Sequence, residues 1–173
     1  MTIDKATLKD LPTILSLFDA AQAWLVGKGL AEQWGTEPFS ETQVERFTEW
    51  LERDVLYVLR DKVFIVGTLV INSEPPDYAR SACEKYPRQA LYLEAFAVHP
   101  NFRGRHFGRQ LLEFAKSEAR RRGVDWLRLD CWSGNEALKR YYVDAGYSRF
   151  AHCELGTWRG ALFEKHIGSK ALI

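Results

Sequence analysis

The stretch Leu91-Tyr92-Leu93-Glu94-Ala95-Phe96-Ala97-Val98-His99-Pro100-Asn101-Phe102-Arg103-Gly104-Arg105-His106-Phe107-Gly108-Arg109 decides how this chain is read. Residues 91–98 are mostly apolar and predict a strand, which Pro100 stops. A glycine turn follows, and Phe107, Leu111, Leu112, Ala115 and Ala119 then recur at helical spacing, predicting a helix over about 104–122. Glycine lets backbone approach a ligand closely. The first turn of a helix offers N–H groups without intrahelical acceptors and a partial positive charge. Such a turn suits a phosphate or pyrophosphate, and Arg103, Arg105 and Arg109 add charge. It lacks the Gly-Lys-Ser/Thr ending of a P-loop, which argues against Mg-nucleotide hydrolysis. His106 stands where a dinucleotide fingerprint would carry glycine. Alone, the turn reads equally well as a helix start with solvated arginines.

Working outward, residues 2–6 predict a short edge strand. Leu11, Ile14, Leu15, Phe18, Ala21 and Leu25 predict a helix, with Asp10 as N-cap and Pro12 in its first turn. A second helix starts at Ser40, with Val44, Phe47 and Leu51 on one face. The β-branched runs 55–60 and 63–71 predict a hairpin turning at Asp61-Lys62. Residues 72–88 hold three of the six prolines and read as a long loop. Strand 126–131, helix 135–145 and strands 147–154 and 161–167 complete the order. No linker or internal repeat is seen.

The chain has 173 residues, 46% hydrophobic and 27% charged, a globular balance that fits one domain. A net charge of +1 gives no whole-chain case for nucleic acid. No apolar run reaches the roughly 20 residues that span a bilayer, and no signal-peptide core is present, so neither a membrane nor a nucleic-acid partner is expected. Charge is uneven: residues 30–54 carry seven acidic and two basic residues, and residues 101–128 carry eight basic and three acidic ones. Both segments read equally as solvated helix faces. Cys83, Cys131 and Cys153 are odd in number and widely spaced, which suggests a reducing compartment and a cytoplasmic location. Neither they nor His99, His106, His152 and His166 have metal spacing, so no metal is expected. A Cys153–His152 nucleophile pair is disfavoured, because neighbours on a strand point to opposite faces.

A second constellation is Asn135-Glu136-Ala137-Leu138-Lys139-Arg140-Tyr141-Tyr142-Val143-Asp144-Ala145-Gly146-Tyr147. Asn135 and Tyr142 lie seven apart, near one helix face. An amide there caps the helix or binds a ligand amide. A tyrosine at the far end packs, or donates a proton to a leaving group.

Together and in this order, the two motifs resemble the GNAT superfamily of acetyl-CoA-dependent N-acyltransferases. The resemblance covers nearly the whole chain, and its specific part is residues 91–147. It implies a single α+β domain over residues 1–173, with a central, mostly antiparallel twisted sheet of six to seven strands flanked by about four helices. The loop of this family is usually Gln/Arg-x-x-Gly-x-Gly/Ala; Arg103 and Gly108 match its ends and His106 departs from the inner glycine. The resemblance implies that Arg103, Gly104, Arg105, His106, Phe107, Gly108 and Arg109 hold the pyrophosphate of acetyl-CoA. It further implies that the backbone of Phe96 and Val98 pairs with the pantetheine arm and that Asn135 contacts it. Tyr142 is then the acid for the CoA sulfur. It allows a homodimer, for which the sequence carries no direct signal.

The chemistry needs a neutral amine. An alkylamine with a pKa near 10.4 is neutral in only about one molecule in a few thousand at pH 7, so a base is useful. Glu94 is the candidate, a carboxylate on an apolar strand, expected on one face with Tyr92, Phe96 and Val98 by alternation. Some polyamine-type members of the family look similar here. The alternative for Glu94 is a structural ion pair with an arginine. A strand N–H near Phe96 would meet the oxyanion. For the acceptor, Trp24, Glu32, Trp34, Glu37 and Phe39 flank a loop that often covers the acceptor site in this family, and the acidic bias would suit a cationic amine; core tryptophans beside a solvated acidic helix account for them as well. A small-molecule amine is preferred to a protein or peptide amine. A non-catalytic acyl-CoA-binding module and a nucleic-acid binder are the other classes.

Overall fold

The β-branched run 55–71 forms the expected hairpin. Strand β2 (Leu56–Asp61) pairs antiparallel with β3 (Phe64–Asn72), and Lys62 in the turn takes a φ of 56°. The edge strand β1 (Thr2–Lys5) pairs antiparallel with β2. A computed structural model describes residues 1–168; residues 169–173 of the expected 1–173 domain lie outside the described residues.

Further strands are β4 (Ala90–Val98), β5 (Trp126–Trp132), β6 (Ser148–Leu155) and β7 (Trp158–His166). The seven strands hydrogen-bond in the order β1-β2-β3-β4-β5-β7-β6. The pairing of β4 with β5 is parallel, while β7 runs antiparallel to both β5 and β6. The fold is thus the mixed α+β class expected.

The helices among the described residues are α1 (Leu11–Gly27), α2 (Phe39–Thr42), α3 (Val44–Glu52), α4 (Asp77–Lys85), α5 (Phe107–Arg121) and α6 (Glu136–Asp144). Two of these go beyond the helices the sequence suggested. The helix expected from Ser40 is broken at Gln43, giving α2 and α3. The loop expected over 72–88 contains α4, which follows Pro76 and carries Asp77 in its first turn. Helix α5 begins three residues later than Gly104, because Gly104 and His106 both have left-handed φ.

The chain forms two compact units. The first comprises Met1–Ile71 and Ala95–Leu112. Its core joins Ile14, Phe18, Phe47, Leu56, Val58 and Val70. Trp34 and Phe39 pack into that core, with ring centroids 5.2 and 5.0 Å from Phe18. The Gln22 amide fixes the loop before α2 by donating to the carbonyls of Trp34 and Glu37, at 3.1 and 3.0 Å. The second unit comprises Asn72–Glu94 and Glu113–Ile173, of which the structure describes residues to 168. There Ala79, Cys83, Ala90, Tyr92, Cys153 and Leu162 join in a cluster. Arg128 is buried at 2% exposure, bonded to Glu164 at 2.7 Å and to the Tyr86 carbonyl at the end of α4.

Candidate active site

Strand β4 does not run with unbroken alternation. Ala95 has φ 45°, a conformation that costs a non-glycine residue roughly 1–2 kcal/mol. Its carbonyl accepts a 2.7 Å hydrogen bond from the hydroxyl of Thr68, which is fully buried on β3. The face-sharing expected of Tyr92, Glu94, Phe96 and Val98 is therefore interrupted between Glu94 and Phe96. The ladder with β5 covers only Ala90↔Trp126, Leu91↔Leu127 and Tyr92↔Arg128, whereas β5 stays paired with β7 as far as Trp132↔Gly160. Glu94 and Asp130 each lie two residues past the last of these pairs.

The glycine turn belongs to the first unit. Gly104 has φ 78° and His106 φ 60°. Histidine thus takes the left-handed conformation in the place where glycine would do so without strain, and His is among the non-glycine residues enriched there. The first helical backbone bond runs from Gln110 N–H to the His106 carbonyl at 3.2 Å. The N–H groups of Phe107, Gly108 and Arg109 precede the helix ladder, as an anion cradle requires. A Cβ on Gly104 would meet no atom within 4 Å, so the glycine serves backbone conformation and leaves that side open. These features fit a pyrophosphate. The Arg103 guanidinium lies 3.7 Å from the centroid of the Trp24 ring, and partial burial lowers its pKa. Trp24 is thereby placed beneath the turn's first arginine, while Trp34 and Phe39 belong to the core. Glu32 and Glu37 are exposed.

The second unit holds Glu94, Asn135 and Tyr142. The Asn72 side-chain amide donates a hydrogen bond to Glu94 Oε2, which orients that carboxylate. On β5, Asp130 interacts with the Tyr78 hydroxyl from α4, and Oδ2 of Asp130 is a buried atom without a hydrogen-bond partner. Burial and the nearby Glu94 charge raise Asp130 to about 6, against the opposing influence of Tyr78. Tyr142 on α6 is 3% exposed. Burial foremost, then the charges of Cys131 and Asp130, push its phenol well above the ordinary tyrosine range, so it keeps its proton at neutral pH. Asn135 is also 3% exposed, and its Oδ1 accepts from Leu138 N–H at 3.1 Å, capping α6. The capping role considered for Asn135 is thus present, whatever else its amide contacts.

The structure gathers Phe96, Val98 and residues 103–109 in one unit, and Glu94, Asn135 and Tyr142 in the other. Three polar residues at this site carried no expectation from sequence. Asp130 is hidden in a strand between leucine and cysteine, and Asn72 and Tyr78 in a segment that reads as loop. A signal for Tyr78 existed: Pro76-Asp77 starts a helix, and Tyr78, Ala79, Ala82 and Cys83 then follow at helical spacing. All three cysteines are free and buried, and burial raises each thiol, Cys131 to about 12 and Cys153 to about 11. Such thiols are poor nucleophiles at neutral pH.

Residues 18–147 match the model of the acetyltransferase (GNAT) family. The chain belongs to the GNAT family of acetyltransferases. It is 23% identical over 163 residues to the uncharacterized N-acetyltransferase YesJ of Bacillus subtilis, covering 94% of this chain and 88% of YesJ. Its fold is shared by the ribosomal-protein-alanine N-acetyltransferase of Brucella melitensis, with TM-score 0.69, 22% identity and coverage of 96% and 99% of the two chains. It is shared too by yncA of Salmonella typhimurium, solved with acetyl-CoA, with TM-score 0.66, 18% identity and coverage of 98% and 95%. No helix among the described residues is long and apolar enough to cross a membrane.

Proposed function

We propose that this GNAT chain, as one domain over residues 1–173, transfers the acetyl group of acetyl-CoA directly to the primary amine of a small cytoplasmic molecule. The observation that carries this reading is the Glu94 carboxylate, held by the Asn72 amide one residue before the left-handed Ala95. Acetyl-CoA supplies an activated thioester. The turn of residues 103–109 would hold its pyrophosphate through the amides that precede the α5 ladder, with Arg103, Arg105 and Arg109 adding charge. Phe96 and Val98 would pair with the pantetheine arm through their backbone, and Asn135 would contact it. Glu94 acts as base toward the acceptor ammonium, directly or through water, a role typically contributing about 10²–10⁴-fold. A backbone N–H near Phe96 meets the oxyanion. Tyr142 hands its proton to the departing sulfur. Since the phenol is a weaker acid than an ordinary thiol near 8.5, this transfer needs prompt reprotonation of Tyr142, which the second proton leaving the amine provides. No metal and no covalent enzyme intermediate enter the scheme.

Acetylation of a protein or peptide amine is the second reading, supported by the fold shared with a ribosomal-protein-alanine N-acetyltransferase. The deciding experiment follows thiol release from acetyl-CoA across amines, amino acids and peptides, alongside calorimetry of CoA binding. Tyr142→Phe is expected to lose at least tenfold in kcat with CoA affinity unchanged. Full turnover in that variant removes the phenol as acid. Binding of CoA without turnover of any amine identifies a non-catalytic module.

A further inference from the structure

Asp130 combines features that a structural aspartate has little reason to combine. One of its carboxylate oxygens is buried without a hydrogen-bond partner. It stands next to the end of the β4–β5 ladder, as Glu94 does. The ionisable groups that interact with it electrostatically are Tyr78 and Cys83 from α4, Glu94 from β4, Cys153 from β6, Tyr142 from α6 and its neighbour Cys131. None of these is a cation, and Arg128, which lines the same cavity, is held by Glu164 at 2.7 Å. Buried carboxylates are ordinarily paired with a positive group, and two carboxylates that feel each other compete for protons. The same neighbourhood contains the oriented Glu94 and the protonated Tyr142, so a cation brought here meets both groups assigned to the reaction.

On the reading of the chain as an amine acetyltransferase, we propose that Asp130 is a further catalytic residue. Its buried oxygen receives the acceptor's ammonium, and with Glu94 it forms a carboxylate pair that selects amines without a neighbouring carboxylate. In the reaction an N–H bond of the ammonium breaks, the proton passes to the carboxylate pair, and the electron pair stays on nitrogen. That pair forms the C–N bond to the acetyl carbon as the C–S bond breaks. Tyr142 then protonates the sulfur, and the second amine proton returns to Tyr142. The carboxylate pair releases its proton to solvent. Tyr78, whose hydroxyl interacts with Asp130, is a positioning residue. The pair discriminates by repulsion: an α-amino acid brings its own carboxylate beside the ammonium, against two like charges.

The test uses the full chain saturated with CoA. Carboxyl ¹³C resonances of labelled Asp and Glu are followed, with Asp130 assigned through Asp130→Asn. Pentylamine and phenethylamine are titrated against norleucine and phenylalanine, which carry the same skeletons plus a carboxylate. The amines are expected to move the Asp130 resonance at concentrations at least tenfold below those of the amino acids. With acetyl-CoA and a turned-over amine, Asp130→Asn is expected to lose about 10²-fold in kcat/KM and to change the acid limb of the pH profile, with CoA affinity within twofold of wild type. An Asp130 resonance that no amine moves, equal titration by amines and amino acids, or unchanged kcat/KM in Asp130→Asn overturns the proposal. The wild-type titration decides the matter even where the variant does not fold. Absence of CoA binding overturns the wider functional reading instead, and amine titration without CoA still reports on Asp130.

Discussion

His106 shows how far a single residue can depart from a family pattern while the backbone keeps its shape. At φ 60° it occupies the conformation that the inner glycine would supply. A β-branched side chain is a genuine outlier there. His106→Val is therefore expected to lose about 1 kcal/mol of stability beyond the strain histidine already bears, read from the urea midpoint, and to weaken CoA binding, while His106→Gly should keep binding and gain up to about 1 kcal/mol. Asp130 makes a second statement at this scale, through pH. Below its ordinary value of 3.8 the carboxyl is protonated in folded and unfolded chains alike. Between 3.8 and about 6 the unfolded chain gives up a proton that the folded chain keeps, so stability falls as pH rises. The loss is complete above about pH 6 and amounts to at most about 3 kcal/mol. Asp130→Asn removes this dependence. Urea midpoints at pH 4 and pH 7 should show the variant gaining on wild type at the higher pH. The glycine turn and the start of α6 were legible as structure, through glycine and asparagine at helix boundaries, whereas the roles expected of their arginines and tyrosine came only with the family resemblance. Asp130 was not legible, since one aspartate in a strand has no spacing to give it away.

At the scale of elements, boundaries followed the apolar periodicity wherever it was strong, as in α1, β2, β3 and β5. In α4 it was present but obscured by the three prolines of residues 72–88, and it did not mark the break at Gln43 between α2 and α3. Helix α4 is pinned at its end by Arg128 of β5 through the Tyr86 carbonyl, a long-range partner that local sequence does not announce. The irregularity of β4 was illegible for the same reason. Nothing in Leu93-Glu94-Ala95-Phe96 marks a left-handed alanine, and the hydroxyl that accommodates it comes from Thr68 on another strand. Thr68→Val keeps the shape and deletes the donor. It should remove that donor from the half-buried Ala95 carbonyl, costing about 0.5–1.5 kcal/mol in a denaturant titration. It should also lower kcat if β4 geometry places Glu94. Thr68→Ser should restore much of both.

For the molecule as a whole, the family and the mixed sheet were readable from two motifs in the right order. The acceptor was not, because Trp34 and Phe39, which flank a loop near the expected acceptor site, instead complete the aromatic core around Phe18. Composition gave no help here, since balanced charge leaves amines, peptides and amino acids equally eligible. The three shielded cysteines have a practical corollary. Colorimetric disulfide reagents attack thiolate, and at pH 8 less than about one in a hundred Cys131 or Cys153 side chains is ionised, given values of about 12 and 11. A native-state blank should stay near zero, and urea should bring up three equivalents per chain. Yellow colour in a coupled assay would then count coenzyme turnover rather than enzyme.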